Sequence, residues 1–135
     1  MSIMIYFFYL PLAIHSFCMQ NKNMKKIHCT LCLGSNTEAE KNVAKAHVLL
    51  TTLLPDIRWD EARWTEPIDF PNPALFLNQM ATFSTTLSSD EVRHRFKEIE
   101  RQCGRLPEDK AQGIIRMDID LLTFGEETLK KVPFA

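Results

Sequence analysis

The sequence has no long run of charge of either sign, and its 16 Lys and Arg residues nearly balance its 17 Asp and Glu residues. A protein that binds nucleic acid needs a basic face, which a net charge of −1 does not indicate. Its 135 residues suit one domain. We therefore expect small-molecule ligands and no nucleic acid, with any positive charge for an anionic substrate gathered locally.

Cysteine does not occur in the pattern that structural zinc sites require. Of the four cysteines, Cys29 and Cys32 form one C-x-x-C pair, and no second pair follows at zinc spacing. The segment around this pair is apolar and predicts a strand, in which positions three apart face opposite sides. We therefore predict reduced cysteines within a strand.

No apolar run is long enough to cross a bilayer. Residues 3–14 are strongly apolar, but they are too short for a span and contain Pro11. No Lys or Arg precedes them and no small-residue cleavage site follows, which argues against a secretory signal. We expect residues 1–23 to be a disordered leader or a mis-assigned start before Met24, with a membrane anchor as the alternative. A single cytoplasmic domain would then span residues 24–135.

The rest of the chain predicts an α+β fold. Asn36 or Thr37 is expected to cap the first helix, Ser88 and Ser89 the second, and Gly104 to end the second. Strands are predicted over residues 27–33, 57–65, 75–87 and from 114 or 116 to 124, and helices over 38–54 and 88–104. This β-α-β-β-α-β order is that of the ferredoxin-like fold, with an antiparallel sheet and two helices on one face.

Asp118 and Asp120 are two residues apart on the last predicted strand, so both carboxylates point away from the core. Neighbouring like charges repel unless a cation lies between them. Mg²⁺ binds a few carboxylates and fills its remaining positions with water and phosphate oxygens. Spacing alone leaves two interpretations open, a Mg²⁺–nucleotide site or two solvated acids.

Two further groups of residues could bind ligands. Arg105 follows a helix end and can fork onto phosphate oxygens, although surface arginines are common at such positions. Phe76 and Asn78 share a strand face and could stack on and hydrogen-bond a flat heterocycle. The alternative for this pair is a core aromatic beside a polar residue on the sheet.

Taken in order, several short motifs resemble the 6-hydroxymethyl-7,8-dihydropterin pyrophosphokinase family. The resemblance extends from about residue 27 to residue 125. The matching stretches are Leu33-Gly34-Ser35-Asn36, Trp64-Thr65-Glu66-Pro67, Phe76-Leu77-Asn78, Ile99-Glu100 through Gly104-Arg105, and Asp118-Ile119-Asp120-Leu121-Leu122-Thr123-Phe124-Gly125.

The resemblance implies transfer of diphosphate from ATP to the hydroxymethyl group of a reduced pterin, with release of AMP, in folate biosynthesis. Mg²⁺ would be the cofactor and ATP the co-substrate. By this resemblance the metal ligands are Asp118 and Asp120, the ATP-binding residues Glu100, Arg105 and Arg116, the catalytic residues Arg105 and Arg116, and the pterin-binding residues Thr65, Phe76 and Asn78.

The sequence departs from the family pattern in two places. The family usually reads Gly-Pro-Arg-Thr-Leu-Asp-Leu-Asp, whereas here Arg116 is one residue closer to the aspartates and Ile115 takes the usual arginine position. If the strand is already regular at Arg116, its side chain shares the face of the aspartates. Only ten residues follow Gly125, where the family continues with further substrate-binding segments. A weakly active or inactive relative that binds a nucleotide, a pterin or a partner is therefore the alternative function. The oligomeric state is left open.

Overall fold

The structure, a computed structural model, describes residues 25–132. In this part of the chain six strands form one antiparallel sheet, in the order β2-β4-β1-β5-β6, with β3 also paired to β4. The elements are β1 Ile27–Ser35, α1 Ala39–Leu53, β2 Arg58–Trp59, β3 Arg63–Thr65, β4 Phe76–Thr85, α2 Ser89–Gln102, β5 Asp118–Phe124 and β6 Glu127–Thr128. The long central strands β4, β1 and β5 carry most of the sheet.

The predicted ferredoxin-like order is confirmed, with local corrections. The predicted strand over 57–65 is two short strands, because its pairing with β4 shifts by one residue between Trp59, which lies opposite Ala81, and Arg63, which lies opposite Asn78. The last long strand begins at Asp118, later than predicted, because Ile115 is hydrogen-bonded to Asn36 and not to a strand. The short strand β6 was not predicted.

Both helices place their apolar stripe against the same face of the sheet. In α2 the predicted cap is confirmed, since Ser88 Oγ accepts the N–H of Glu91 at 3.2 Å. The predicted cap of α1 is wrong, because Glu38 occupies that position with a φ of 44° and no side-chain cap bond. The core side chains come from strands and helices alike and include Leu31, Leu33, Val43, Ala46, Leu50, Ala81, Phe83, Val92, Phe96, Ile99, Met117, Ile119 and Leu121.

The strand prediction for the cysteines is confirmed. Cys29 is in the core cluster, Cys32 is buried on the same strand, and Cys29, Cys32 and Cys103 are free thiols. Among residues 25–132 no helix has the length and apolarity that a bilayer span requires. The predictions for residues 1–23, including the apolar segment, concern residues outside the described part of the chain.

Candidate functional site

The candidate site is a row of residues across the face of the sheet opposite the helices. Opposed residues in antiparallel strands project from the same face. The register places Asp118 of β5 opposite Gly34 of β1, and Gly34 opposite Asn78 of β4. Adjacent strands are about 4.8 Å apart, so Asp118 and Asn78 are separated by about 10 Å across the sheet. Two residues further along β5, on the same face, Asp120 lies opposite Cys32.

Gly34 leaves the space that the side chain of Asn78 fills. A Cβ at Gly34 would lie 2.5 Å from Asn78 Oδ1, closer than atoms tolerate. With its side chain across β1, Asn78 donates from Nδ2 to Thr65 Oγ1. Thr65 is paired with Phe76 in the register, and the ring of Phe76 meets that of Phe70 edge-on at 5.6 Å. The fold thus brings the three predicted pterin-binding residues together.

The two aspartates lie side by side on the open face, as the strand period predicts, and each is paired with a cation. Arg105 Nη1 lies 2.9 Å from Asp118 Oδ1, and Lys130 Nζ lies 3.0 Å from Asp120 Oδ2. Arg105 was predicted at this site, but Lys130 was not. Each aspartate is therefore in an ion pair with one basic side chain.

Glu100 lies behind the aspartates and not beside them. It is 2% exposed, and its Oε2 accepts the backbone N–H of Ile119 at 2.7 Å. Arg105 Nη1 lies 3.4 Å from the same oxygen and donates to the carbonyl of Met117 at 3.1 Å. Glu100 and Arg105 therefore fix the first half of β5, from which both aspartates project. This burial favours a positioning role for Glu100 over direct contact with a nucleotide.

The site has more negative charge than its surroundings easily stabilise. Burial, followed by the charge of Asp118, raises the pKa of Asp120, although Lys130 opposes this rise. Burial also raises the pKa of Glu100, although the hydrogen bond from the Ile119 N–H and the charge of Arg105 lower it in part. The pKa of the Cys32 thiol is raised to about 12 by burial and by the charges of Asp120 and Asp118. A bound cation would relieve this repulsion.

The pKa values of the two basic residues are also raised, which favours their charged form. Burial lowers the pKa of Arg105, but its hydrogen bond to Asp118 and the charge of Glu100 outweigh burial and raise it. The pKa of Lys130 is likewise raised, because the hydrogen bond and charge of Asp120 outweigh the effect of burial. Both groups therefore remain positively charged over the neutral pH range.

Arg116 lies outside the strand that carries the aspartates, because β5 begins two residues later, at Asp118. Its Nε donates to Asp109 Oδ2 at 3.1 Å, and its Nη1 lies 4.0 Å from Glu38 Oε2. Any role of Arg116 toward a nucleotide requires this pairing with the two acids to loosen.

A cluster of hydrogen bonds on the Gly113 carbonyl joins the loops on either side of the site. Asn36 Nδ2 and Asn72 Nδ2 donate to this carbonyl at 2.8 Å and 3.1 Å. Asn36 Oδ1 also accepts the N–H of Ile115 at 2.8 Å. Gly113 has a φ of 74°, and a Cβ there would lie 2.7 Å from Asn72 Cβ. The loop before β4 and the loop before β5 are therefore packed directly together.

The residues present fit a Mg²⁺ ion that is shared with a phosphate ligand. Within residues 25–132 no group of three or more His, Cys, Asp and Glu side chains is arranged to hold a metal. Two adjacent carboxylates are nevertheless the partial ligand set that Mg²⁺ uses when substrate phosphates and water complete its shell. Asp118 and Asp120 have that arrangement, whereas Glu100 Oε2 already accepts the Ile119 N–H.

The fold and the paired aspartates define a ferredoxin-like α+β domain with an acidic site on its open sheet face. Residues 30–135 match the model of the 7,8-dihydro-6-hydroxymethylpterin-pyrophosphokinase (HPPK) family. The chain therefore belongs to this family, whose members are pterin pyrophosphokinases of folate biosynthesis. A search of curated proteins found no match to the chain.

Proposed function

We propose that this chain transfers diphosphate from ATP to the hydroxymethyl group of 6-hydroxymethyl-7,8-dihydropterin. The observation that carries the proposal is the row of Asp118, Gly34 and Asn78 across three neighbouring strands. It puts a carboxylate pair suited to Mg²⁺ and a carboxamide suited to a pterin about 10 Å apart on one face. That separation accommodates a triphosphate and a heterocycle lying end to end.

The reaction joins one oxygen to one phosphorus and releases AMP. The hydroxymethyl oxygen attacks the β-phosphorus of ATP, and the bond from that phosphorus to the oxygen bridging to the α-phosphate breaks. The electron pair of that bond leaves with AMP, and the hydroxyl proton passes to solvent. Little acid–base chemistry is needed, so positioning and charge neutralisation supply most of the acceleration.

Asp118 and Asp120 would hold Mg²⁺, which supplies positive charge against the triphosphate. Arg105 orients Asp118 through the 2.9 Å contact and presents its guanidinium to the same region. Arg116 would reach the nucleotide after it leaves Asp109. Glu100 would contribute by holding the strand from which the aspartates project.

Thr65, Phe76 and Asn78 would form the pterin side of the site. Asn78 Oδ1 and Nδ2 complement the donors and acceptors of a pterin edge, and Phe76 offers a ring for stacking. Thr65 fixes the orientation of the Asn78 amide by accepting its Nδ2–H. We further propose that residues 24–135 are the catalytic unit and that it acts in the cytoplasm, where ATP is available.

The test is an assay of the full chain with ATP, Mg²⁺ and 6-hydroxymethyl-7,8-dihydropterin, separated by chromatography. We expect AMP and the pterin diphosphate in equal amounts. Asp118→Asn combined with Asp120→Asn serves as the matched control, because it keeps the shape of both side chains and removes their charge. Absence of both products at high protein concentration, or equal rates in the control, would reject the proposal.

The contacts of Arg116 favour one alternative function. Because Asp109 and Glu38 hold this arginine, the chain could bind nucleotide or pterin without turning them over efficiently. Calorimetry with a non-hydrolysable ATP analogue distinguishes the two. Mg²⁺-dependent binding without product formation would support the binding role, which the double aspartate variant should then abolish.

A further inference from the structure

Lys130 is a basic residue of the candidate site that has no role in the proposed reaction. Its Nζ lies 3.0 Å from Asp120 Oδ2, although the lysine comes ten residues later in the chain and beyond the β5–β6 hairpin. Among the described residues, Asp120 is the one carboxylate within ion-pair distance of it. The contact therefore results from the fold and not from sequence proximity.

The backbone of Lys130 is fixed by an irregularity in β5. The register with β1 passes from Leu121 directly to Thr123, so Leu122 is an extra residue in the strand. The carbonyl of Leu122 accepts the N–H of Leu129 at 2.7 Å and that of Lys130 at 3.2 Å. This double acceptance returns the chain alongside β5 and aims the lysine toward Asp120.

The two cations of the site differ in how firmly they are held. Arg105 has three acceptors, the carboxylates of Asp118 and Glu100 and the carbonyl of Met117. Within residues 25–132, the one ion pair of Lys130 is that with Asp120, and its side chain is 53% exposed. A long exposed lysine with one partner can change partners at small cost. Lys130 is thus the cation that can move.

We propose that Lys130 occupies the cation position of Asp120 when metal is absent and transfers to the nucleotide phosphates when the metal–nucleotide complex binds. Lys130 is then both a competitor of the free metal ion and a binding residue for the nucleotide. The inference rests on the proposed function, in which Asp120 is a metal ligand and the nucleotide lies beside it.

The exchange is consistent with the charges at the site. Without ligand, Asp118 is paired with Arg105 and Asp120 with Lys130. A divalent ion that replaces Lys130 at Asp120 adds positive charge to the site and frees the lysine. The negative charge of the triphosphate then neutralises both. A free metal ion gains less, because it must displace Lys130 without offering a new anion for it.

The test compares Lys130→Met with Lys131→Met in the full chain. Lys131 is the adjacent, exposed lysine, so the control makes the same chemical change one position away. The first measurement titrates nucleotide-free protein with Mn²⁺ and follows the free ion by electron paramagnetic resonance. We expect Lys130→Met to bind Mn²⁺ about three- to tenfold more tightly than the unsubstituted chain, and Lys131→Met to match that chain.

The second measurement is calorimetry with a non-hydrolysable ATP analogue in excess Mg²⁺. Here we expect the opposite sign, with affinity about three- to tenfold weaker in Lys130→Met and largely restored in Lys130→Arg. A merely structural role would move both affinities in the same direction. The inference is overturned if Lys130→Met binds Mn²⁺ no more tightly, or if it binds the analogue as the control does.

Both measurements are equilibrium binding and need no turnover, so they separate this inference from the proposed function. If Lys130→Met shifts the Mn²⁺ and analogue affinities in opposite directions but the chain forms no AMP, the lysine exchange is supported and the proposed function is rejected. If the chain forms AMP but Lys130→Met and Lys131→Met have the same affinities, only the exchange is rejected. Thermal unfolding of each variant verifies that it is folded.

Discussion

The carboxylate of Glu100 on α2 accepts the backbone N–H of Ile119 in the middle of β5, at 2.7 Å and away from solvent. Ile119 stands between the two aspartates, so this bond fixes the segment from which both project. The bond runs from helix to strand. In the described part of the chain β6 pairs with Thr123 and Phe124 of β5, so at Ile119 this bond takes the place of a neighbouring strand on that side.

Removing this acceptor is expected to destabilise the protein. Glu100→Ala leaves the buried N–H of Ile119 without a partner, which costs about 1–3 kcal/mol of unfolding free energy. Glu100→Gln keeps an acceptor oxygen and should lose less. Urea unfolding provides the measurement, with Glu98→Ala, at a partly exposed glutamate of the same helix, as the control. An equal loss in Glu98→Ala and Glu100→Ala would contradict the assigned role.

Gly34→Ala should damage the pterin side of the site selectively. The added Cβ would lie 2.5 Å from Asn78 Oδ1, so the amide must turn away from β1 and from Thr65. We expect pterin affinity, measured by fluorescence titration, to fall about tenfold, the equivalent of one lost hydrogen bond to the ligand. Nucleotide affinity should change by less than about twofold, since Asp118 and Arg105 keep their contact.

Cys32→Ala provides the comparison, because it changes a buried residue two positions away on the same face of β1 without adding volume. It should leave pterin binding unchanged. Equal pterin affinities of Gly34→Ala and the unsubstituted chain would show that Asn78 is not in the pterin site.

The sequence predicts those parts of the molecule that depend on local periodicity. The strand period of two correctly predicts that Asp118 and Asp120 point away from the core, and the helical stripe of α2 is correctly predicted from Val92 to Cys103. Contacts between residues distant in sequence do not follow from such patterns. Lys130 reaches Asp120 only because of the extra residue in β5 and the turn at Gly125, whose φ is 61°.

The same limit explains why the start of β5 was predicted too early. A regular strand from residue 114 would align this arginine with the aspartates, but Asn36 binds Ile115 and Gly113 from 79 and 77 positions away along the chain. Asn36 was expected to cap a helix, a local role, and its bonds to the distant loop could not be inferred from neighbouring residues. The loop therefore enters β5 only at Asp118.

Asp109→Asn is expected to release Arg116 for the nucleotide. The ion pair between Arg116 Nε and Asp109 Oδ2 at 3.1 Å becomes a weaker hydrogen bond from the charged guanidinium to a neutral amide. If Arg116 binds phosphate, the KM for ATP should fall about threefold in Asp109→Asn and rise about tenfold in Arg116→Met. Glu108→Gln, which removes the neighbouring exposed acid, controls for a general change in charge. A KM for ATP that is unaffected by Arg116→Met would exclude this arginine from nucleotide binding.

Asp120→Asn is expected to stabilise the metal-free protein at neutral pH. The pKa of Asp120 is raised above its unfolded value, so the folded state holds the proton more tightly and ionisation above the folded pKa opposes folding. The amide removes this cost, although it also loses the pair with Lys130. The gain in unfolding free energy should be present above the pKa that Asp120 has in the folded state. It should shrink as the pH falls through that pKa toward the ordinary aspartate value of about 3.9.

Thermal unfolding of metal-free protein between neutral and acidic pH measures this difference. Glu108→Gln, at an exposed loop carboxylate, controls for the removal of one negative charge. A gain for Asp120→Asn that grows toward acidic pH would contradict the direction of the pKa shift.

Asn72 should couple the loop before β4 to the loop before β5, and two substitutions separate its two bonds. Its Oδ1 accepts the N–H of Ala74 at 2.9 Å, while its Nδ2 donates to the carbonyl of Gly113 at 3.1 Å. Asn72→Asp keeps the acceptor and removes the donor, whereas Asn72→Ala removes both. Hydrogen exchange followed by NMR should therefore show faster exchange at Ile115 in both variants, but at Ala74 only in Asn72→Ala.

The expected acceleration at Ile115 is about fivefold, since one hydrogen bond contributes about 1 kcal/mol. Ile115 reports the coupling because its own N–H is bound by Asn36, which shares the Gly113 carbonyl with Asn72. Protection of Ile115 in Asn72→Asp equal to that in the unsubstituted chain would mean that Asn36 alone holds the loop. In that case the contact between Asn72 and Gly113 would not couple the loop before β4 to the loop before β5.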